Sequence, residues 1–400
     1  MRVLHVIPSL SRMHGGPSHA IDLMTNTLGG LGVEVEIATT DDDGPRRRVS
    51  KAVATSEVEL RAAGNRPLRR FFRKWTDFYK ISPGLAVWLL RNVRNYDVVH
   101  IHALFSFSST SAAWIARWKG TPYVVRPLGV LNEYGRTQRR PLLKRLSIRF
   151  IERPILRAAA AVHFTADAER KEAMETGIPF RSVVIPLGVA PVPQGDGSRL
   201  LGLFPGLSDG IRLLFLSRLD PKKNLEGLIE ALALLRSNGR AVSLIVAGSG
   251  DAAYVHSLKE WAQAQGVAEH ITWLGHVESS DKADAFSAAD IFVLPSYSEN
   301  FGIVVAEALS AGLPCVVGRG VALAESVARA GAGIVVGNDA ISIAAGIAAF
   351  VEDIGARKLA GEKARELVNR EYSVEKMGSQ LCTLYADIVD HDISIVKYKP

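Results

Sequence analysis

Short apolar runs rich in Val, Ile and Leu recur along this chain, and stretches of helical spacing alternate with them. Residues 2–8, 33–38, 97–102, 122–126, 160–165 and 183–186 read as strands; residues 18–28 and 110–118 read as helices, and a long basic helix precedes residue 160. A second series runs strand 212–217, helix 224–238, strand 243–247, helix 252–265, strand 271–274, helix 282–287, strand 291–294 and helix 302–311, then strands 314–317 and 333–336. Strands that alternate with helices argue for a parallel, doubly wound sheet. Between the two series, residues 190–210 are rich in Pro and Gly. The expectation is therefore an α/β chain: a first domain over 1–190, a linker over 191–210, a second domain over 211–372, and a helix and tail over 373–400 that packs back on the first domain. No sequence repeat relates the halves.

A length of 400 residues suits two domains. With 48% apolar and 22% charged residues the chain has ample core material. Two cysteines, Cys315 and Cys382, supply neither a disulfide framework nor a CxxC metal site and fit a reducing compartment. No uninterrupted apolar stretch is long enough to span a bilayer. The first strand is too short, and too soon broken by Pro8, for a signal peptide. The expectation from these points is a soluble, cytoplasmic protein. Charge is uneven: residues 1–200 hold 30 Lys and Arg against 17 Asp and Glu, residues 201–400 hold 18 against 24. A basic half implies an anionic counterpart, which could be lipid head groups, a pyrophosphate-linked acceptor or nucleic acid.

The densest chemistry lies between Glu299 and Glu307. Strand 291–294 leads through Glu299, Asn300, Phe301 and Gly302 into an apolar helix. The first N–H groups of a helix lack internal partners and bind anions; Glu307, further in, would accept hydrogen bonds from sugar hydroxyls. Together they point to a nucleotide-activated sugar. Upstream, Ser217-Arg218-Leu219-Asp220-Pro221-Lys222-Lys223-Asn224 follows another strand. Arg218 and Lys223 can reach a ligand at the carboxyl ends of the strands, as a fork and a point charge; a solvated basic loop is the plain alternative.

Gly248-Ser249-Gly250 is a glycine turn that lets backbone approach a nucleotide. A dinucleotide fingerprint would need glycine where Ala253 stands. His14-Gly15-Gly16-Pro17 is a first-half loop that can offer N–H groups, or an ordinary tight turn. Asp41-Asp42-Asp43 has the look of a metal-holding triplet but the place of a solvated acidic turn. His102, at a strand end, is read as reaching the cleft, with His100 on the opposite side in the core and His163 structural. Residues 66–80 and 136–157 are basic and amphipathic with interleaved aromatic and aliphatic side chains, which suits an anionic membrane surface; ordinary surface helices are the alternative. No nucleic-acid module is visible.

These motifs together resemble the retaining GT-B glycosyltransferases of family GT4, over nearly all of residues 1–390. The resemblance implies two Rossmann-like doubly wound parallel-sheet lobes with a cleft between them. It implies a catalytic set of Glu299, Arg218 and Lys223, with His102 added as a guess. A donor site would hold Gly15, Gly16, Gly248, Ser249, Gly250, His276, Val277, Asn300, Phe301, Gly302 and Glu307. Arg126 and Asn132 would face the acceptor. Many relatives carry a histidine where this chain has Leu128, so Arg126 or His102 is the candidate substitute. The expected reaction moves a sugar from a UDP- or GDP-sugar to a glycan or lipid-linked acceptor in bacterial polysaccharide synthesis. It proceeds with retention, without metal or other cofactor, at most peripheral to the inner face of the membrane. The rivals are a nucleotide-sugar 2-epimerase and a non-enzymatic nucleotide-sugar-binding assembly partner.

Overall fold

The computed structural model describes residues 1–11, 16–44, 67–131, 141–204, 207, 210–277 and 279–396. The chain divides into two compact units, Met1–Gly188 with Val374–Pro400, and Val189–Ser373.

Among the described residues the first unit has seven parallel strands: β1 Arg2–Ile7, β2 Glu34–Thr40, β3 Leu68–Phe72, β4 Val98–His102, β5 Tyr123–Arg126, β6 Ala161–Phe164 and β7 Ser182–Val184. Their spatial order is β3-β2-β1-β4-β5-β6-β7. The strand order reverses between β1 and β4, which pair in register His5 to His100. β1, β4, β5 and β6 are buried along nearly their whole length, so both faces of the sheet are covered. The helix Val374–Val396 returns to this unit and packs on the helix Gly16–Gly30 and on β4. Met377, Leu381, Leu384, Tyr385 and Ile388 supply its buried face, at the four- and seven-residue spacing of one helical stripe.

The second unit has six parallel strands: β8 Ile211–Leu216, β9 Val242–Ala247, β10 Ile271–Gly275, β11 Ile291–Leu294, β12 Cys315–Gly318 and β13 Gly333–Val336. Their order is β10-β9-β8-β11-β12-β13, again with the reversal beside the first strand. The stretch 191–210 belongs to this unit and is not all loop. Asp196 caps a helix, Gly197–Leu203, by accepting from the Ser198 and Arg199 N–H groups. The Asp196 N–H donates to Asp284 at 2.7 Å, and Arg199 pairs with Asp281 at 2.5 Å. These bonds fix the segment against the helix Ser279–Ala288.

Several elements escape the sequence reading. β3, Leu-Arg-Arg-Phe-Phe, is a charged edge strand whose arginines hide its pattern; charge at an edge discourages further pairing. The basic stretch before β6 is not one helix. It comprises Pro141–Ser147, a widened turn Ile148–Glu152, and Arg153–Ala158, which carries a proline in its first turn. Proline lacks an N–H and cannot continue the ladder of a preceding helix.

Candidate active site

β8 and β11 are neighbours where the second sheet reverses its order. Open α/β sheets bind ligands outside the carboxyl ends of strands at such a point. The segment leaving β8 is tied to the glycine turn after β9: the Leu219 N–H donates to the Ser249 carbonyl at 2.9 Å. Gly248 cannot be replaced there, because its φ is +141° and a Cβ would lie 1.8 Å from the Ser217 carbonyl oxygen. Asp220 caps the turn Pro221–Lys223 through the Lys222 N–H at 3.1 Å. Asn224, at a φ of +58°, donates its side-chain amide to the Asn338 carbonyl at 2.8 Å and accepts from the Tyr297 hydroxyl at 3.2 Å.

The segment leaving β11 meets this loop. The Tyr297 N–H donates to the Lys222 carbonyl at 3.0 Å. The Glu299 N–H donates to the Gly320 carbonyl at 2.8 Å, and Glu299 bridges Val321. Glu299 is thus clamped in extended backbone ahead of the helix Ile303–Ala311. Gly302 forms the N-cap at a φ of +86°, a left-handed conformation that favours glycine, and the helix start has no side-chain cap.

Two lysine–glutamate pairs occupy the site. Lys223, mostly buried, donates its ammonium to the Glu299 carboxylate. Lys282 donates to Glu307 at 2.6 Å. The structure therefore brings Lys223, Glu299, Gly248, Ser249 and Gly250 to one set of linked loops, with Glu307 one turn into the adjoining helix. Arg218, Ser249, Gly250 and His276 are exposed; Val277 and Asn300 are half-buried. Phe301 and Gly302 are buried, and the Phe301 ring packs edge-on to Tyr372 with centroids 5.8 Å apart. Lys282, Tyr297 and Asn338 were not singled out from the sequence. Nothing in a lone Lys on a short helix, or in single Tyr and Asn residues in loops, distinguishes them there.

The first unit corrects three expectations. His102 does not reach a surface: it is completely buried, and so is His100. The two do not face opposite sides. Residues two apart on a strand share a face, and their rings stack with centroids 4.4 Å apart. Arg126, expected to face an acceptor, lies in register with His102 and is buried beside it, its Nε and Nη1 without hydrogen-bond partners. His5 and His163 complete the layer. His5 Nδ1 and His102 Nε2 are 3.0 Å apart, and Tyr385 from the last helix lies 2.7 Å from His100 Nδ1.

The tautomers follow from one end of the layer. The Ile185 carbonyl can only accept, so His163 Nε2 donates to it at 2.8 Å. His163 Nδ1 then accepts from His100 Nε2 at 3.3 Å, and His100 Nδ1 accepts from the Tyr385 hydroxyl. Each of these four buried imidazoles, His5, His100, His102 and His163, is neutral. Burial, with the Arg126 charge second, holds His5 and His163 down to about 3, and burial holds His100 and His102 well below the usual range. Burial draws Arg126 itself down to about 10, opposed by Glu169. Ring nitrogens of His5, His100 and His102 lie within 4.8 Å of one another, but the guanidinium beside them disfavours a second cation.

The acidic triplet is not a solvated turn. Asp42 is buried and paired with both Lys74 and Lys80; Asp41 accepts from the Lys74 N–H and Asp43 from the Ser11 hydroxyl, each at 2.7 Å. Gly16 starts the helix Gly16–Gly30 and is exposed. Gly15 and Asn132 lie outside the described residues.

Two parallel-sheet lobes, with acid–lysine pairs and a glycine turn at the switch point of the second, define a protein of GT-B architecture. Residues 206–367 match the family model for glycosyl transferases group 1, and residues 15–188 match that for the glycosyl transferase 4-like domain. The chain belongs to this glycosyltransferase family. It is 31% identical over 237 residues to a phosphatidyl-myo-inositol mannosyltransferase of Mycobacterium leprae, covering 59% of this chain and 52% of that protein. It is 30% identical over 290 residues to a D-inositol 3-phosphate glycosyltransferase of Geodermatophilus obscurus, covering 67% and 63%. The chain thus spans little more than half the length of the first curated relatives it matches. In fold it is similar to Anabaena HepE, solved with UDP and glucose, with a TM-score of 0.77, 18% identity, and coverage of 97% of this chain and 100% of that one.

Proposed function

We propose that the chain is a retaining glycosyltransferase that takes a sugar from a UDP- or GDP-sugar to a glycan or lipid-linked acceptor, in bacterial polysaccharide synthesis. The observation that carries this is the Lys223–Glu299 pair at the switch point of the second sheet, ahead of a helix start with no side-chain cap. In this reading Lys223 and exposed Arg218 stabilise the departing diphosphate, with the N–H groups at the start of the helix. Glu307 holds the ribose and Glu299 lies beside the donor sugar. Charge on the diphosphate is offset by the two cations without a metal. The relatives named for phosphatidyl-myo-inositol and inositol phosphate support a polar or lipid-linked acceptor, and the HepE complex supports a nucleotide-sugar donor. Peripheral contact with an anionic membrane belongs to the same reading, since it would bring a lipid-linked acceptor within reach.

The test is release of nucleoside diphosphate from a panel of UDP-, GDP- and ADP-sugars, with and without bacterial lipid extract. Release from one donor that rises with extract, and a product of retained anomeric configuration, is expected. Burial of His102 and Arg126 favours a second reading, a nucleotide-sugar binder that does not transfer. Tight donor binding with no release in the presence of any extract would decide for that reading.

A further inference from the structure

We infer that one helical face of the first unit, formed by the helices Pro83–Asn92 and Phe107–Lys119 and the segment Pro141–Ala158, docks on an anionic lipid bilayer. This takes the peripheral placement further by naming the face, and it stands whether or not the chain transfers sugar. The three elements lie side by side: Phe107–Lys119 packs against Pro83–Asn92 and against Arg153–Ala158.

Their outward residues are the wrong kind for plain solvent. On Phe107–Lys119 the inward positions are Ala112, Ala113, Ile115 and Ala116, while Trp114 and Trp118, one turn apart, point outward at 43% and 72% exposure. On the neighbouring segment Leu142, Leu146 and Phe150, spaced four apart, form a second outward stripe at 55–72% exposure. A lone exposed apolar side chain is ordinary, but two such stripes, one on Phe107–Lys119 and one on the turns that run directly into its packing partner Arg153–Ala158, mark an interaction surface.

Charge selects the partner. Every charged side chain on these three elements is Lys or Arg except Glu152, and Glu152 is completely buried. The cations sit against the outward rings: Lys119 Nζ lies 4.7 Å from the Trp118 ring centre, and Arg117 and Arg149 lie over Trp114 and Phe150. Exposed aromatic and aliphatic groups flanked by cations, on elements that themselves carry no exposed acid, match a head-group layer of negative charge over acyl chains. Among the described residues no helix is long and apolar enough to cross a membrane, so contact would be lateral.

The experiment is co-sedimentation of the full chain with phosphatidylcholine vesicles, with and without phosphatidylglycerol, at low and high ionic strength. Binding is expected only with phosphatidylglycerol, weakened by salt, with a blue shift of tryptophan emission. Trp118→Glu combined with Leu146→Glu is expected to weaken partitioning by more than about tenfold, since it removes two apolar anchors and adds two like charges. Unchanged thermal unfolding of the double variant separates lost docking from lost folding; should it unfold early, Lys119→Glu with Arg149→Glu replaces it. Absence of binding to phosphatidylglycerol vesicles, equal binding to neutral ones, or full binding by a folded variant overturns the inference. Saturable binding to a soluble acidic protein or nucleic acid in preference to vesicles would overturn it too.

Discussion

Lys223 and Glu299 come from loops 76 residues apart in sequence and form an ion pair at the carboxyl ends of β8 and β11. Each is already held by its backbone: Lys223 by the Asp220-capped turn, Glu299 by its bridge to Val321. In the proposed function the pair pre-positions a cation where a diphosphate would leave. Lys223→Ala should lower turnover by about two to three orders of magnitude, the range for losing one group aimed at developing charge, and change donor KM less. The check is a steady-state comparison of kcat and KM on the donor found by the panel. Near-normal turnover by a folded Lys223→Ala enzyme contradicts the role given to it.

Glu307 shows a second kind of constraint. It is mostly buried, and Lys282 is its partner at 2.6 Å. Removing the lysine alone leaves a buried carboxylate without its counter-charge, while removing both partners does not. Lys282→Met should therefore destabilise the protein more than Lys282→Met with Glu307→Gln. Donor affinity should follow Glu307 alone if that carboxylate holds the ribose. Thermal unfolding of the single and double variants, with calorimetric donor binding, separates the two effects.

Most of the two sheets was legible because the central strands are short, largely apolar runs buried on both faces, and because the helices between them keep a 3.6-residue stripe; the charged edge strand β3 lacks that pattern and was not. Bounds over β8 to β13 and the helices read between them fall within a residue or two of the reading, except for the helix Ser279–Ala288, which starts earlier; the helix Ala324–Ala330 between β12 and β13 was not read. The acid and lysine positions of the site were legible for a related reason: polar residues directly after a buried strand have nowhere to lie but the strand's end. What could not be read was the partner of each group. Lys282 meets Glu307 only through tertiary packing, and Asp42 meets Lys74 across 32 residues. The histidine layer was misread for a geometric reason. Strand alternation has a period of two, so His100 and His102, like His5 and Arg126 in register with them, were bound to share a face and to be covered together.

That layer should make the first unit acid-sensitive. Its histidines are neutral when folded, with His5 and His163 held down to about 3 by burial, and they take up protons near 6.5 when unfolded. A base whose folded pKa is depressed contributes stability that is present above its unfolded pKa and lost as pH falls toward the folded one. Stability should hold above about pH 6.5 and fall below it, by up to ~1.4 kcal/mol per pH unit for each histidine. Tyr385→Phe adds a distinct effect. It leaves His100 Nδ1 buried without a donor, at a cost of about 1–3 kcal/mol, and should raise amide exchange in the helix Val374–Val396. Urea unfolding from pH 8 to pH 4, with exchange measured on both proteins, checks the two together; a flat pH profile would falsify the account.

Glu152 titrates in the opposite sense. Its Oε1 accepts from the Phe105 N–H at 3.2 Å and from the Ser147 hydroxyl at 3.1 Å, and Oε2 is buried without a partner. Burial pushes its carboxyl up to about 7, the two hydrogen bonds holding it lower than burial alone would. A carboxyl whose folded pKa is raised contributes stability that is present below its unfolded value, near 4.5, and lost as pH rises through about 7. Above pH 7 the folded protein must carry an ionised, half-satisfied carboxylate in its interior. Glu152→Gln keeps an acceptor oxygen for Phe105 and Ser147 and cannot ionise. It should therefore unfold at a higher temperature than the parent at pH 8.5, by a smaller margin at pH 5.5, and at nearly the same temperature only as pH falls to about 4.5. The same substitution should leave Phe105 in its left-handed backbone conformation, at a φ of +54°, because the bond that holds its N–H survives. Two melting curves at each pH suffice, and a Gln variant less stable at pH 8.5 would mean that the ionised form is the one the fold prefers.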